Sequence, residues 1–147
     1  MALLEKWRTK INLVGRGSLD NPWYRHILDS AQLGPLLPPG TRSIADIGSG
    51  AGFPGLVLAL IDLPGDPDVH IIESNQRKCA FLREVNRATG AGAVIHHCRI
   101  ENLSSLKVNV ATARGVAPLT KLLQFSVPVL KKTENVFSCR EKNGNIN

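Results

Sequence analysis

Residues 46–55 read DIGSGAGFPG, with four glycines within eight positions, and no other stretch limits the chain so strongly. It follows SIADI (43–47), a short buried strand by composition, and runs into PGLVLALI (54–61), an apolar helix opened by Pro54. A strand that enters a helix through a glycine turn, then the turn LPGDPD and a second strand VHIIE (69–73), makes a βαβ unit. The rhythm continues. SNQRKCAFLREVNRATG (74–90) sets Phe81, Leu82, Val85 and Ala88 on one helical face between a cap at Ser74 or Asn75 and Gly90. AVIHHC (93–98) and VNVATA (108–113) read as the third and fourth strands, joined by RIENLSSLK (99–107). Leu119, Leu122, Ser126 and Leu130 then repeat at helical spacing, with Pro128 kinking or ending that helix, and NVFSC (135–139) is a candidate fifth strand. Strand and helix alternating in this way predict an α/β fold, a parallel sheet covered on both faces with right-handed crossovers.

Ahead of this core the pattern is helical. Leu3, Leu4, Trp7 and Ile11 form one stripe, and after the break at GRGSLDNP the residues Tyr24, Ile27, Leu28 and Ala31 form another, started by Asn21 and Pro22. Trp7 or Trp23 could stack on a nucleic-acid base, but both tryptophans, spaced with Leu and Ile, are expected in the core. LGPLLPPGT (33–41) is a connector. The organisation expected is one domain over 1–147: a helical segment at 1–40, a core at 41–131 and a divergent polar tail at 132–147. At 147 residues and 43% apolar content, the chain can bury an ordinary core. No apolar run reaches membrane-spanning length and MALLEKWRTK is too charged for a signal peptide, so a cytoplasmic protein with no membrane partner is expected. Cys79, Cys98 and Cys139 are odd in number and lack metal-ligand spacing, which predicts reduced thiols and no metal. A formal charge of +6 favours a polyanionic partner such as nucleic acid.

In an open parallel sheet the ligand lies beyond the carboxyl ends of the strands, where the DIGSGAGFPG turn falls. Gly50, Gly52 and Gly55 match the GxGxxG of dinucleotide-binding enzymes, while Gly48, Gly50 and Gly52 match the GxGxG of methyltransferases. Two acids favour the second. Asp46, just before the first glycine, would repel a pyrophosphate but serve the ammonium of S-adenosylmethionine, which carries no phosphate. Glu73, at the end of the second strand, would accept hydrogen bonds from ribose hydroxyls in either cofactor. The plain alternatives are that Asp46 caps the helix and that Glu73 is a solvated strand end.

KWRTKINLVG (6–15), WYRHILDS (23–30), the glycine loop, ESNQRKCAFLREV (73–85), RIENL (99–103) and TARGVAPL (112–119) together resemble the bacterial small-subunit ribosomal RNA guanine-N7 methyltransferase family, also called the glucose-inhibited division protein B family. The resemblance spans about residues 4–131. It implies a class I, Rossmann-like S-adenosylmethionine-dependent methyltransferase fold, with Gly48, Phe53, Ile100, Glu101 and Arg114 at the cofactor or its border and Glu73 on the ribose. The implied reaction is methyl transfer to N7 of a guanine in 16S ribosomal RNA, free or within the small ribosomal subunit. N7 keeps a free lone pair, so no catalytic His or Cys is required; His26, His96 and His97 are read as structural, and Arg114 as a positioning group. Lys6, Arg8, Lys10, Arg16 and Arg25 are the expected phosphate contacts.

Members of that family continue past this point with two further strands. Here KKTENVFSCREKNGNIN (131–147) matches only loosely at NVFSC, as if the chain were truncated or shifted in frame. Missing C-terminal strands would leave an exposed sheet edge. Two other readings therefore stand beside the methyltransferase: a catalytically inactive fragment of that enzyme, and, less favoured by Asp46, a nicotinamide-dependent oxidoreductase.

Overall fold

The computed structural model of the chain describes residues 1–13, 21–103, 105–115 and 118–139. Five strands, β1 (Ser43–Ile47), β2 (Asp68–Glu73), β3 (Val94–His97), β4 (Val108–Arg114) and β5 (Leu130–Cys139), form one sheet in the order β3-β2-β1-β4-β5. Every pairing is parallel. The chain builds outward from β1 through β2 to β3, then returns to the other side of β1 with β4. The order therefore reverses between β1 and β4, and the crevice of such a sheet opens at the carboxyl ends of those two strands.

Period-two alternation puts the two faces of the sheet into two cores. Ile44, Ile71 and Val110 belong to one, packed with Leu56 and Val57 of α3 (Gly55–Leu60) and Phe81 and Leu82 of α4 (Gln76–Thr89). Ala45, Ile47, Ile72 and Ala111 belong to the other, covered by Leu122 of α5 (Leu119–Ser126), by Val129, and by Ile100 in the 3-10 turn Ile100–Asn102. The expected sheet covered on both faces is what forms. α5 ends before Pro128, which sits in a 3-10 turn, Val127–Val129. The candidate strand at NVFSC is the second half of β5, which crosses the boundary expected at residue 132.

Asn75 caps α4: its side-chain oxygen accepts the N–H groups of Arg77 and Lys78 at 3.0 and 3.1 Å. Gly90 closes the helix in the left-handed region, φ +67°. Asn75→Ala is expected to lower stability by about 1 kcal/mol, read as a shifted urea midpoint at constant m-value.

The first helix, α1 (Ala2–Arg8), contacts α4 through its side chains. Trp7 packs edge-on against Phe81 with ring centroids 5.9 Å apart, and its indole N–H donates to Glu84 Oε2 at 2.8 Å. Trp7 is thus the packed tryptophan the sequence anticipates. Trp23 is not. It opens a π-helical turn, Trp23–Leu28, that runs into α2 (Asp29–Ala31), and the wider i→i+5 pitch rotates the faces away from those an α-helix would give. His26 and Ser30 are the buried positions; Trp23, Tyr24 and Leu28 are exposed. Ser30 Oγ donates to the His26 carbonyl, so burying the hydroxyl leaves no unpaired group.

Candidate functional site

The turn between β1 and α3 folds back on the end of β2. The N–H groups of Gly48 and Ser49 both donate to the Ile72 carbonyl, at 2.8 and 3.2 Å, and Gly52 N–H donates to Ser49 at 2.9 Å. Gly48, Gly50 and Gly52 have φ of +63°, +59° and +89°, a left-handed sequence that only glycine enters without strain. Gly50 has open space where a Cβ would stand, its nearest atom being the Gly48 carbonyl oxygen at 3.9 Å. Its backbone is bare toward the crevice.

Two acids brace the turn from beneath. Glu73 is 7% exposed; Oε2 accepts Gly50 N–H at 3.0 Å and Oε1 accepts Asn75 N–H at 2.8 Å. It is a buried strand end that joins the glycine turn to the start of α4. A carboxylate offers about four lone-pair sites, so each oxygen retains accepting capacity. Asp46 is fully buried. Its Oδ2 accepts the Ser49 hydroxyl and the N–H of Gly55, the latter at 2.9 Å, while Oδ1 accepts the Thr112 hydroxyl at 3.2 Å. Burial pushes its pKa up from 3.8 to about 6 against the opposing pull of these bonds and of Arg114. Asp46 thus bonds the first N–H of α3, as the capping alternative has it, with its carboxylate buried under the turn. Strand alternation accounts for this: Asp46 shares the face of Ile44, under α3, rather than pointing along the strand axis.

Phe53, His26 and Arg114 meet above this base. The His26 ring stacks on Phe53, centroids 4.9 Å apart and planes 12° from parallel, and Arg114 Cζ lies 5.0 Å from the Phe53 centroid. Arg114 Nη2 donates to His26 Nδ1 at 3.0 Å and Nη1 donates to the Arg25 carbonyl at 3.3 Å, with Asp29 Oδ2 at 3.9 Å. An arginine from the end of β4, a phenylalanine from the glycine turn and a histidine from the N-terminal segment thus form one cluster. It ties the segment Arg25–Asp29 to the carboxyl edge of the sheet. Sequence reading leaves His26 as a structural residue and passes over Ser49 and Thr112; the legible signal for Thr112 is its register opposite Asp46 on the neighbouring strand.

The remaining expected residues sit elsewhere. Ile100 is buried in the second core and Glu101 is exposed in the same turn. Lys6, Arg8 and Lys10 are exposed on or just after α1, near α4, whereas Arg25 is exposed at the crevice; Arg16 lies outside the described residues. Cys79 is buried and Cys98 half-buried, both without a disulfide. His96 Nε2 is 3.0 Å from His70 Nδ1, and burial lowers the pKa of both rings; His97 lies by the Ser74 carbonyl. Among the described residues no group of three or more His, Cys, Asp or Glu could hold a metal, and no helix is long and apolar enough to cross a membrane. A cavity of about 270 Å³ lined by Leu58, Ile61, Asp66 and Val69 lies at the opposite, amino end of β2, away from the glycine turn.

Comparison with known proteins gives a family and a fold. The sequence pattern of the family described as rRNA small subunit methyltransferase G matches residues 1–147. The chain is 53% identical over 130 residues to ribosomal RNA small subunit methyltransferase G of Rhodospirillum rubrum, covering 88% of the chain and 63% of that protein. It is 52% identical over 128 residues to the protein of the same description from Paramagnetospirillum magneticum, covering 87% and 61%. The chain thus spans about six-tenths of the length of these curated relatives. Among solved structures, a methyltransferase from Thiobacillus denitrificans in complex with S-adenosyl-L-homocysteine superposes with a TM-score of 0.61 at 19% identity, over 76% of this chain and 47% of that one. A methyltransferase from Geobacter sulfurreducens gives 0.64 at 12% identity, over 93% and 67%. These likenesses show the fold: the Rossmann-like parallel sheet of class I methyltransferases.

Proposed function

Because this chain belongs to the rRNA small subunit methyltransferase G family, we propose that it binds S-adenosylmethionine at the glycine turn and methylates N7 of a guanine in 16S ribosomal RNA. One observation carries the cofactor reading: Glu73, buried at the end of β2, is bonded to the N–H of Gly50, whose backbone is bare toward the crevice. A ligand with a ribose fits such a place, since the carboxylate's remaining lone pairs accept hydroxyls and the missing Cβ of Gly50 allows close approach. Gly48, Gly50, Gly52 and Phe53 would line the turn side, with Ile100 and Glu101 bordering it from the turn after β3 and Arg114 from β4. Asp46 would act through the turn that it braces.

The cofactor supplies an electrophilic methyl group on a sulfonium. The protein's share is to hold donor and acceptor in line and to shed water from the crevice. Guanine N7 would take the methyl on its own lone pair as the carbon–sulfur bond breaks and S-adenosylhomocysteine leaves, so no side chain would have to remove a proton first. Arg114, held by His26 and Phe53, fixes the edge of the crevice. Lys6, Arg8, Lys10 and Arg25 are exposed cations suited to phosphate. A location in the cytoplasm agrees with this substrate.

Calorimetric titration of the chain with S-adenosylmethionine, with NAD as the control ligand, tests the cofactor reading. Saturable binding is expected for S-adenosylmethionine alone and should weaken at least tenfold in Glu73→Ala, which removes a charged hydrogen-bond acceptor. Binding of NAD in its place would select the oxidoreductase reading. Cofactor binding with no methyl transfer to 16S ribosomal RNA or small subunits would select the inactive one.

A further inference from the structure

We infer that Trp23 and Tyr24 form a stacking platform for unpaired bases of single-stranded RNA at the rim of the crevice. They are 63% and 64% exposed, and they are the chain's only tyrosine and one of its two tryptophans. Large aromatic side chains are mostly buried, so two adjacent ones left in water mark a surface with a use. The turn that carries them is anchored to the site by the next two residues: the Arg25 carbonyl accepts from Arg114, and the His26 ring stacks on Phe53. The element is a π-helical turn, a form concentrated at functional positions. Its pitch turns His26 inward and the aromatic pair outward.

The charge around the pair selects the occupant. Arg25, the next residue, is exposed, the turn Trp23–Leu28 contains no acid, Asp29 just after it lies 3.9 Å from the Arg114 guanidinium, and the chain carries a formal +6. An apolar protein partner gains nothing from that surplus. A single strand of RNA uses both features, with bases on aromatic faces and phosphates on cations. Stacking is indifferent to base identity, so the platform would hold the flanking bases and leave selection of the reacting guanine to the crevice. The inference rests on the RNA-modifying reading above but concerns residues that reading does not use.

The test is fluorescence anisotropy with a labelled, unstructured oligoribonucleotide and with the same strand annealed to its complement, using the whole chain. Trp23→Ala should weaken single-strand binding about tenfold, the scale of one lost base stack, while Trp23→Phe keeps most of the affinity and duplex binding is unchanged. Arg25→Ala should lower the slope of log affinity against log salt by about one. Unchanged single-strand affinity in Trp23→Ala/Tyr24→Ala overturns the inference. So does equal weakening for single strand and duplex, or sedimentation showing that the pair instead joins two copies of the chain. Far-ultraviolet circular dichroism and S-adenosylmethionine titration of each variant separate loss of the platform from loss of the fold. Cofactor binding that fails in the unaltered chain would count against the proposed reaction and leave the base-stacking result to stand by itself.

Discussion

Gly55→Ala is expected to destabilise the chain by about 3–5 kcal/mol, the sum of overpacking a closed core and stranding a buried polar group. Alanine is ordinarily the better helix residue by up to about 1 kcal/mol, and Gly55 is the first residue of α3, so propensity alone predicts a gain. Space decides otherwise. A Cβ there would stand 2.6 Å from Asp46 Oδ2 and 2.8 Å from Asp46 Cβ. The carboxylate cannot retreat, because Ser49 and Thr112 hold it from other sides and Asp46 is itself in the central strand. Either α3 moves outward, breaking the Gly55 N–H bond to Asp46, or the acid loses its partners and remains buried. Both displace the glycine turn, so cofactor affinity should fall together with stability. Equilibrium urea unfolding and calorimetric titration of the variant check this; unchanged stability would mean that α3 is not seated on Asp46. Gly48, by contrast, is half-buried, and its constraint is conformational: at φ +63° a side chain would be strained.

The contrast between Gly55 and its neighbours shows what the sequence makes visible. SIADI, the glycine turn, the Asn75 cap and Gly90 are local signals, each set by the conformation of a few residues, and each appears where it is expected. Glu73 at the end of β2 is legible by the same logic, since a strand end is found by counting. The direction in which a side chain leaves the strand was also countable for Asp46, two residues after Ile44, yet chemistry favoured a ligand-facing role over the register that puts it under α3. The N-terminal segment failed for another reason. Tyr24, Ile27 and Leu28 set one helical phase, whereas the structure buries His26 and Ser30, whose Nδ1 and hydroxyl are bonded by Arg114, 88 positions away, and by a backbone carbonyl. No hydrophobic pattern carries that information. In β5 the NVFSC half is legible as a strand, whereas the polar KKTE ahead of it is not, and its pairing with β4 is visible only in the sheet.

Between about pH 4 and pH 6.5, stability is expected to fall by about 3 kcal/mol through Asp46 alone, the free energy equivalent of a pKa raised from 3.8 to about 6. The sign follows from proton counts. In this window the folded chain holds a proton on Asp46 that the unfolded chain has released, so deprotonation favours unfolding. The stabilisation is complete below the unfolded pKa and is lost as pH rises through the folded one, opposite to a carboxylate held in an ion pair. Desolvation exceeds the hydrogen bonds here, although Ser49, Gly55 and Thr112 all oppose it. Asp46→Asn separates the two effects: an amide oxygen still accepts from Ser49 and Gly55, its NH₂ donates to the Thr112 oxygen, and no charge is ever buried. The variant should match the unaltered chain near pH 4 and exceed it by about 3 kcal/mol at pH 7. Asp46→Ala, which leaves two hydroxyls and an N–H without an acceptor, should be less stable than Asp46→Asn at every pH by several times about 1–3 kcal/mol. Urea unfolding of the three proteins across the range decides it, because other titrating groups cancel in the differences. A difference between the unaltered chain and Asp46→Asn that does not change with pH would place the acid's proton affinity near its ordinary value and remove desolvation as the force acting on the turn.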